Sequence, residues 1–402
     1  MAPKQVTSPR PLRVSIVGAG LGGLTAAIAL RKCGHNVQVF ESSERNTEFG
    51  AGITLPANAL RILHQLGFHT TNLQSVELDG VVRLDAQAGS GTSNSPGVHS
   101  DENSERFRYI SCHRNDLRNE LERLATAEEG QGTPAQLHLG SKVVACDPES
   151  GSITLVDGET VAADLIVGAD GIHSTMRSSI VGQVVQPLPS GLSCFRFFLD
   201  ASGIKDIPDL GWYTDKAQMH AIDWLVTESQ PFRRIFTYPV RNGTLINFIG
   251  FFADEDHGLV DWVPAATRQD VLDKYHDAHP KFLRLMELPL VSAISKWKLR
   301  TVPILGTWIR GHAALLGDSA HATLPFMGQG LAVAIEDAGV LGTLLPLGTT
   351  KDEVPVRLAA YERLRNGFNH FHYISAIVLS LQEDHQTNGL LRYLRWDRLK
   401  AS

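Results

Sequence analysis

The sequence predicts an α/β protein whose first domain is discontinuous, with a β-rich segment inserted into it. Three observations carry that reading. Leu12 to Glu41 reads as strand, glycine turn, helix and strand, closed by an acid. The same strand–turn–helix grammar returns from Ala313. Between about 186 and 299 the chain turns aromatic and β-branched, in short runs separated by Pro and Gly.

At 402 residues the chain suits two domains or one large composite. Leu12–Val17 is a short apolar run, Leu21–Cys33 an Ala/Leu-rich helix that Gly34 can end, and Val37–Phe40 a second strand. Ala57–Leu66 reads as a helix stopped by Gly67. Residues 86–105, rich in Gly, Ser and Asn, read as a hairpin loop within a β segment. Asn115–Ala127 places Leu117, Leu121 and Leu124 on one helical face. Leu137–Val144 and Ser152–Val156 look like paired strands, followed by a buried strand at Leu165–Val167. Further strands are expected at Cys194–Phe198, Arg234–Val240 and Leu245–Phe252. The first domain is thus expected over 12–185 and 300–350, a β-rich substrate domain over 186–299, and a C-terminal helical region over 351–402.

Composition excludes several classes. Lys and Arg total 37 against 43 acids, a net charge of −6, which offers no footprint for nucleic acid. No uncharged apolar run approaches the ~20 residues of a membrane span. The first residues lack the apolar core of a secretory signal. Cys33, Cys112, Cys146 and Cys194 lie far apart without a CxxC pair, so neither a zinc site nor a disulfide framework is expected. A reducing, cytoplasmic setting is the expectation.

Chemistry is concentrated in three segments. Gly18-Ala19-Gly20-Leu21-Gly22-Gly23 is a GxGxxG between strand and helix: Gly18 for the tight turn, Gly20 for backbone approach to a pyrophosphate, Gly23 for helix–strand packing. The helix N-terminus supplies N–H groups for phosphates, and Glu41 is placed to accept from ribose hydroxyls. FAD and NAD share this unit. The second segment, Asp164–Arg177, runs from a buried strand through Gly-Ala-Asp-Gly into a helix with Ser174 as N-cap. The third, Ala313–Asp337, has Gly317-Asp318, a Pro/Gly loop, and a long helix starting near Gly328. An Asp at a strand end suits a cofactor polyol, and the Gln329–Leu331 amides suit an electron-rich ring edge.

In that order the three segments resemble a known family, the group A FAD-dependent monooxygenases, or single-component flavoprotein aromatic hydroxylases, which include salicylate and para-hydroxybenzoate hydroxylases. GAGLGG at 18–23, ADGIHSTMR at 169–177 and GDSAHATLPFMGQG at 317–330 carry the resemblance, which spans about 12–365. The general look, with YERLR at 361–365, is most similar to salicylate-hydroxylase-like enzymes of fungal secondary metabolism. Gly328-Gln329-Gly330-Leu331 departs from the Ala-rich loop usual in salicylate hydroxylases, which speaks against salicylate itself.

The resemblance implies a glutathione-reductase-type FAD-binding, Rossmann-like domain, an inserted mixed β-sheet substrate domain and C-terminal helices. It implies that Glu41 holds the adenosine ribose, that Ala51 and Gly52 lie near the flavin, and that Arg114 reaches the phosphate and ribitol. Asp318 would bind the ribityl hydroxyl, and Gly330 and Leu331 would place backbone at the ring. Asp170 and Arg177 belong to the motif tied to both FAD and NAD(P)H. No second GxGxxG follows a later strand, which agrees with NAD(P)H visiting as a transient co-substrate.

The implied reaction adds O2 to reduced flavin, giving a hydroperoxide that hydroxylates a phenolic or polyketide-like aromatic. Dearomatisation, epoxidation and Baeyer–Villiger oxidation draw on the same chemistry, and a non-catalytic binding protein on the same fold is the rival of another class. Arg196, set among Phe195, Phe197 and Phe198, pairs with a phenolate or carboxylate, or else with a structural acid. Tyr213, His220 and Tyr238 are further candidates for activating the substrate. His321 reads as a packing residue, Pro325-Phe326-Met327 as cavity wall, and the protein as a monomer or homodimer.

Overall fold

The structure, a computed structural model, describes residues 10–44, 51–96, 109–225, 231–254 and 262–366. Its first layer is a six-stranded sheet, in the order Ile309–Arg310, Ala313–Leu315, Leu165–Gly168, Arg13–Val17, Asn36–Phe40, Gln136–His138. All neighbours are parallel except the first pair. Leu165–Gly168 and Ala313–Leu315 are buried throughout, as strands covered on both faces must be. The helix Leu21–Lys32 packs against Arg114–Thr126 and Gly330–Leu344. Small residues allow the approach: a Cβ on Gly342 would lie 3.1 Å from that of Ala29. Arg31, buried near the end of the first helix, donates to the Leu124, Ala125 and Gly132 carbonyls and satisfies the end of the second.

The run expected as one strand over Leu137–Val144 is two. Gln136–His138 joins the parallel sheet beside Asn36–Phe40, while Val143–Asp147 pairs with Ser152–Leu155 in a separate three-stranded sheet. Gly140, at φ +66°, turns the chain between them.

The second layer is an eight-stranded sheet. Its order is Trp262–Ala266, Ile294–Thr301, Leu188–Asp200, Leu245–Ala253, Arg233–Val240, Met219–Asp223, Gly80–Asp85 and Gly91–Pro96. It is not confined to 186–299. The segment read as a hairpin loop over 86–105 holds the strand Gly91–Pro96, which pairs with Gly80–Asp85; residues 97–108 lie outside the described set. That pair joins the sheet through a parallel register between Gly80–Asp85 and Met219–Asp223. Ile294–Thr301 likewise runs past the expected boundary. Of the C-terminal region, 354–366 is helical and the apolar positions Phe368, Phe371, Ile374 and Ile377 lie outside the described residues.

Strand alternation gives the large sheet two faces. Phe195, Phe197, Ile246 and Phe248 point to one, where they pack with Val271, Phe282 and Leu285 of the covering helices in a core of their own. The other face turns toward the six-stranded unit. Phe248 is fully buried and stacks on Phe197 with ring centroids 4.4 Å apart. Phe248→Ala is expected to cost about 3–5 kcal/mol, read as a lower midpoint in urea unfolding; an unchanged midpoint would show that this core does not carry the sheet.

Candidate active site

The two layers enclose a cavity of about 550 Å³ at the carboxyl ends of the parallel strands, the crevice where open α/β sheets bind ligands. The first glycine motif forms one wall. Gly18 takes φ +104°, and a Cβ there would stand 2.4 Å from the Ala169 carbonyl oxygen. A Cβ on Gly23 would be 2.0 Å from the Gly18 carbonyl, so that position must also stay bare. Gly20 is different. It lines the cavity, and a Cβ there would meet nothing within 4 Å. It leaves a cradle where the backbone can meet a ligand directly.

Gly20 caps the following helix without a side-chain hydrogen bond, and no acid sits in the first turn. The N–H end of the dipole therefore faces the cradle without a competing protein anion. Glu41 lies behind it, accepting from Ala19 N–H at 2.9 Å and Ser43 N–H at 2.9 Å. Burial raises the carboxyl of Glu41, but these hydrogen bonds more than offset it and hold it below the usual range.

The opposite wall comes from the third motif. Gly317 takes φ +64°, ψ −139°, and Asp318 follows it onto the cavity. Gly330 and Leu331 open the 15-residue helix Gly330–Leu344, also with no side-chain cap and no acid in the first turn. Pro325, Phe326 and Met327 line the cavity between them. Ala51, Gly52 and Arg114 complete this half; Arg114 N–H donates to the Ala51 carbonyl at 2.8 Å. From the large sheet, Arg196 and Tyr238 face in, with Phe236 and Ile249 beside them.

A glycine cradle, two bare helix N-termini, one strand-end aspartate and one arginine fit a dinucleotide that carries a polyol and a flat ring. Comparison with known proteins agrees. Residues 12–370 match the model of the FAD binding domain family. The chain is 41% identical over 402 residues to hispidin-3-hydroxylase of Neonothopanus nambi, covering 97% of this chain and 92% of that protein. It is 33% identical over 401 residues to the FAD-dependent monooxygenase cfoG of Aspergillus candidus, covering 97% and 90%. Among solved structures, the tetrameric form of 2-methyl-3-hydroxypyridine-5-carboxylic acid oxygenase superposes with a TM-score of 0.73 at 27% identity, covering 97% of this chain and 98% of that one.

The chain belongs to the FAD-dependent monooxygenases of the FAD binding domain family.

In this monooxygenase the second motif supports the cofactor wall without lining it. Asp170 accepts from Thr175 N–H at 2.7 Å, Met176 N–H at 3.1 Å and the Ser174 hydroxyl at 2.5 Å, closing the start of the helix Thr175–Val181. Ser174 is the N-cap, accepting from Arg177 N–H at 2.9 Å. Arg177 is fully buried; it donates to the carbonyls of Ser319 at 2.7 Å, Ile172 at 2.9 Å and Asp318 at 3.3 Å. It ties the second motif to the third. Neither Asp170 nor Arg177 is among the residues lining the cavity.

Nor are Tyr213 and His220. They stack on each other with centroids 3.7 Å apart, and the Tyr213 hydroxyl pairs with that of Thr237. The reason is parity. His220 lies opposite Thr237, one residue out of phase with Phe236 and Tyr238, so it points away from the cavity. Burial pushes its imidazole down to about 3, leaving it neutral.

Several contributors carried no signal in the sequence. Asn247, directly across from Tyr238, accepts from Gly52 N–H at 2.8 Å and pins that segment to the large sheet. Asp337, fully buried, accepts from Gly317 N–H at 3.1 Å, His321 Nε2 at 2.7 Å and Arg365 Nε at 2.7 Å. Burial raises Asp337, but His321 and Arg365 outweigh it and hold the carboxyl below its usual range. Arg83 reaches the cavity from the upstream hairpin.

Two substitutions test this wall. In Gly52→Ala the new methyl would stand 2.5 Å from Asn247 Cγ and 2.8 Å from Tyr238 Cε2; the flavin-to-protein absorbance ratio of the purified protein is expected to fall. Asp337→Asn removes the anion that His321 and Arg365 share, leaving Arg365 with Glu336, and loosens Gly317. It is expected to weaken FAD binding by about tenfold or more, measured by titrating apoprotein with FAD; unaltered affinity would remove Asp337 from the account.

Proposed function

We propose that this protein hydroxylates a phenolic or polyketide-like aromatic, with NAD(P)H and O2 as co-substrates. The observation that carries the substrate side is Arg196. It faces the cavity, and its Nε is buried without a hydrogen-bond partner. A buried guanidinium donor left unpaired by protein calls for an acceptor from the ligand. The names of the relatives point the same way, hispidin-3-hydroxylase among them.

When bound, FAD would supply the chemistry of hydride acceptance from NAD(P)H and of O2 activation toward the ring. The protein binds, orients and charges the substrate. Gly20, Arg114, Asp318 and the Gly330–Leu331 amides, which line the cavity, would hold the cofactor. Arg196 stabilises the phenolate, which raises electron density on the ring that receives oxygen. Tyr238 stands by as a hydrogen-bond donor: burial raises its phenol, only partly offset by the charge of Arg196, so it keeps its proton at neutral pH. Phe236, Ile249 and Phe326 make the cavity apolar around that charge and exclude water.

All four cysteines are free, which suits a reducing, cytoplasmic setting for a monomer or homodimer. Among the described residues no helix is long and apolar enough to cross a membrane, and no group of His, Cys, Asp and Glu is placed to hold a metal.

The test is substrate-stimulated NAD(P)H oxidation by the FAD-loaded protein, with transfer of labelled oxygen from O2 into a hydroxylated product. NAD(P)H consumed only to peroxide by every phenol tried would refute hydroxylation, and a ring-opened or lactone product would favour the sister chemistries. In Arg196→Met, kcat/KM is expected to fall by about 100-fold or more. The pH at which the bound phenol ionises should rise, because the cation that favoured the anion is gone.

A further inference from the structure

Two hydroxyls on the cavity wall belong to none of the groups that hold the cofactor or charge the substrate. Thr54 lies on the strand Gly52–Leu55, opposite Ser111 of the neighbouring strand Ile110–His113. Tyr109 stands just before that second strand, and its hydroxyl donates to Thr54 Oγ1 at 3.0 Å. Both residues line the cavity. A hydroxyl carries one donor and two acceptor sites. Thr54 Oγ1 is engaged as an acceptor, and among the described residues its own O–H meets no hydrogen-bond acceptor.

The pair stands against the loop that leads into the helix Gly330–Leu344. Gly328 takes φ +60°, and a Cβ there would lie 3.3 Å from Thr54 Oγ1 and 3.3 Å from the Tyr109 hydroxyl. Backbone is therefore seated directly on both hydroxyls. Gly330 opens the helix two residues later, at an end with neither a side-chain cap nor an acid in its first turn. Thr54, Tyr109, Gly328, Gly330 and Leu331 all line the same cavity. Burial raises the Tyr109 phenol, only partly offset by Thr54, so Tyr109 stays a donor at neutral pH. A hydroxyl that accepts a hydrogen bond gives a stronger one in turn, so Tyr109 makes Thr54 the better donor.

We propose that Thr54 is a cofactor-binding residue: its O–H donates to the carbonyl edge of the flavin ring, beside the Gly330–Leu331 amides, and Tyr109 positions it. This rests on the reading that those amides meet the ring, and it adds a side-chain donor to them. It does not depend on which aromatic is the substrate. Hydride from NAD(P)H brings two electrons and one proton to the ring, and part of the added negative charge spreads onto the carbonyl edge. A donor fixed at that edge holds the reduced ring more tightly than the oxidised one. Thr54 and Tyr109 together raise the potential at which the bound cofactor accepts hydride.

The experiment uses the FAD-loaded protein and reads the cofactor rather than turnover. Midpoint potentials come from dithionite titration against a reference dye. In Thr54→Val the reduced cofactor is expected to bind about tenfold less tightly relative to the oxidised one, a potential lower by ~30 mV. Thr54→Ser, which keeps the hydroxyl, should retain the original potential. Tyr109→Phe should fall between the two, with a change of about threefold. The second readout is the carbon-13 resonance of the ring carbonyls in FAD labelled at both. Loading into the unaltered protein should move them downfield of free FAD, and Thr54→Val should reverse part of that move. The proposal is overturned if Thr54→Val leaves both the potential and the carbonyl resonances as they were. It is also overturned if Thr54→Ser behaves like Thr54→Val, the mark of a packing defect. Should Thr54→Val fail to hold FAD, Thr54→Ser and Tyr109→Phe decide by the same readouts. Failure of the underlying reading would look different: the carbonyls of FAD in the unaltered protein would resonate where they do in free FAD.

Discussion

Four parallel strands end together, and their ends are stitched by backbone hydrogen bonds that continue just past the sheet. Gly18 N–H donates to the Phe40 carbonyl at 2.8 Å, Ala169 N–H to Val17 at 2.8 Å, and Leu316 N–H to Gly168 at 2.9 Å. Each of the three cofactor-side turns thus begins by pairing with the strand beside it. Turns held this close have no space between them for side chains, so Gly18, Gly23 and Gly168 are bare: a Cβ on Gly168 would stand 2.7 Å from that of Met176. The cofactor-side wall of the crevice above these ends inherits its shape from that constraint.

Such tight loops bury polar groups, and the molecule satisfies them with charged side chains that never touch the cavity. Arg177 takes up carbonyls from the second and third motifs; Asp337 takes up Gly317 N–H and accepts from His321 and Arg365. Arg365 also pairs with Glu336 at 2.9 Å, whose other oxygen accepts from Asn58 Nδ2 at 2.8 Å. Buried ions of this kind add little net stability, but removing one member leaves its partners uncompensated at a cost of about 3–5 kcal/mol. What they do is fix position. The network reaches from the last described helix, over 354–366, to the turn that carries Asp318.

The cofactor half was legible because its signals are local. GAGLGG, ADGIHS and GDSAH each lie at a strand end and state their geometry within a few residues; Ser174 caps its helix as its type and position require. The substrate half was not, because strand register is a long-range property. Nothing near residue 80 announces that Gly80–Asp85 will run parallel to Met219–Asp223, so Arg83 could not be counted with Arg196. Parity decides between Tyr238 and His220 in the same way: both are aromatic strand residues, and only the pairing of His220 with Thr237 shows that they face opposite sides. Gly140 divides an apolar run between two sheets, although the run reads as continuous. The buried role of Asp337 follows from packing against Arg365, twenty-eight positions away.

The charges on the cavity wall make chemical sense as a set. Among the described residues its lining holds three arginines, Arg83, Arg114 and Arg196, against one carboxylate, Asp318. Each of these cations is a guanidinium, whose planar fork of N–H donors suits an anionic oxygen. The candidate acid–base groups are neutral instead: Tyr238 keeps its proton, and His220 is uncharged and turned away. On the proposed reading, such a wall favours the anionic form of a bound phenol, which leaves the ring electron-rich. On the same reading Asp318, on the opposite wall, would meet the hydroxyl donors of a polyol, so that cations on the sheet and an acceptor at the strand end divide the cavity into a side for an anionic aromatic and a side for a sugar-like chain.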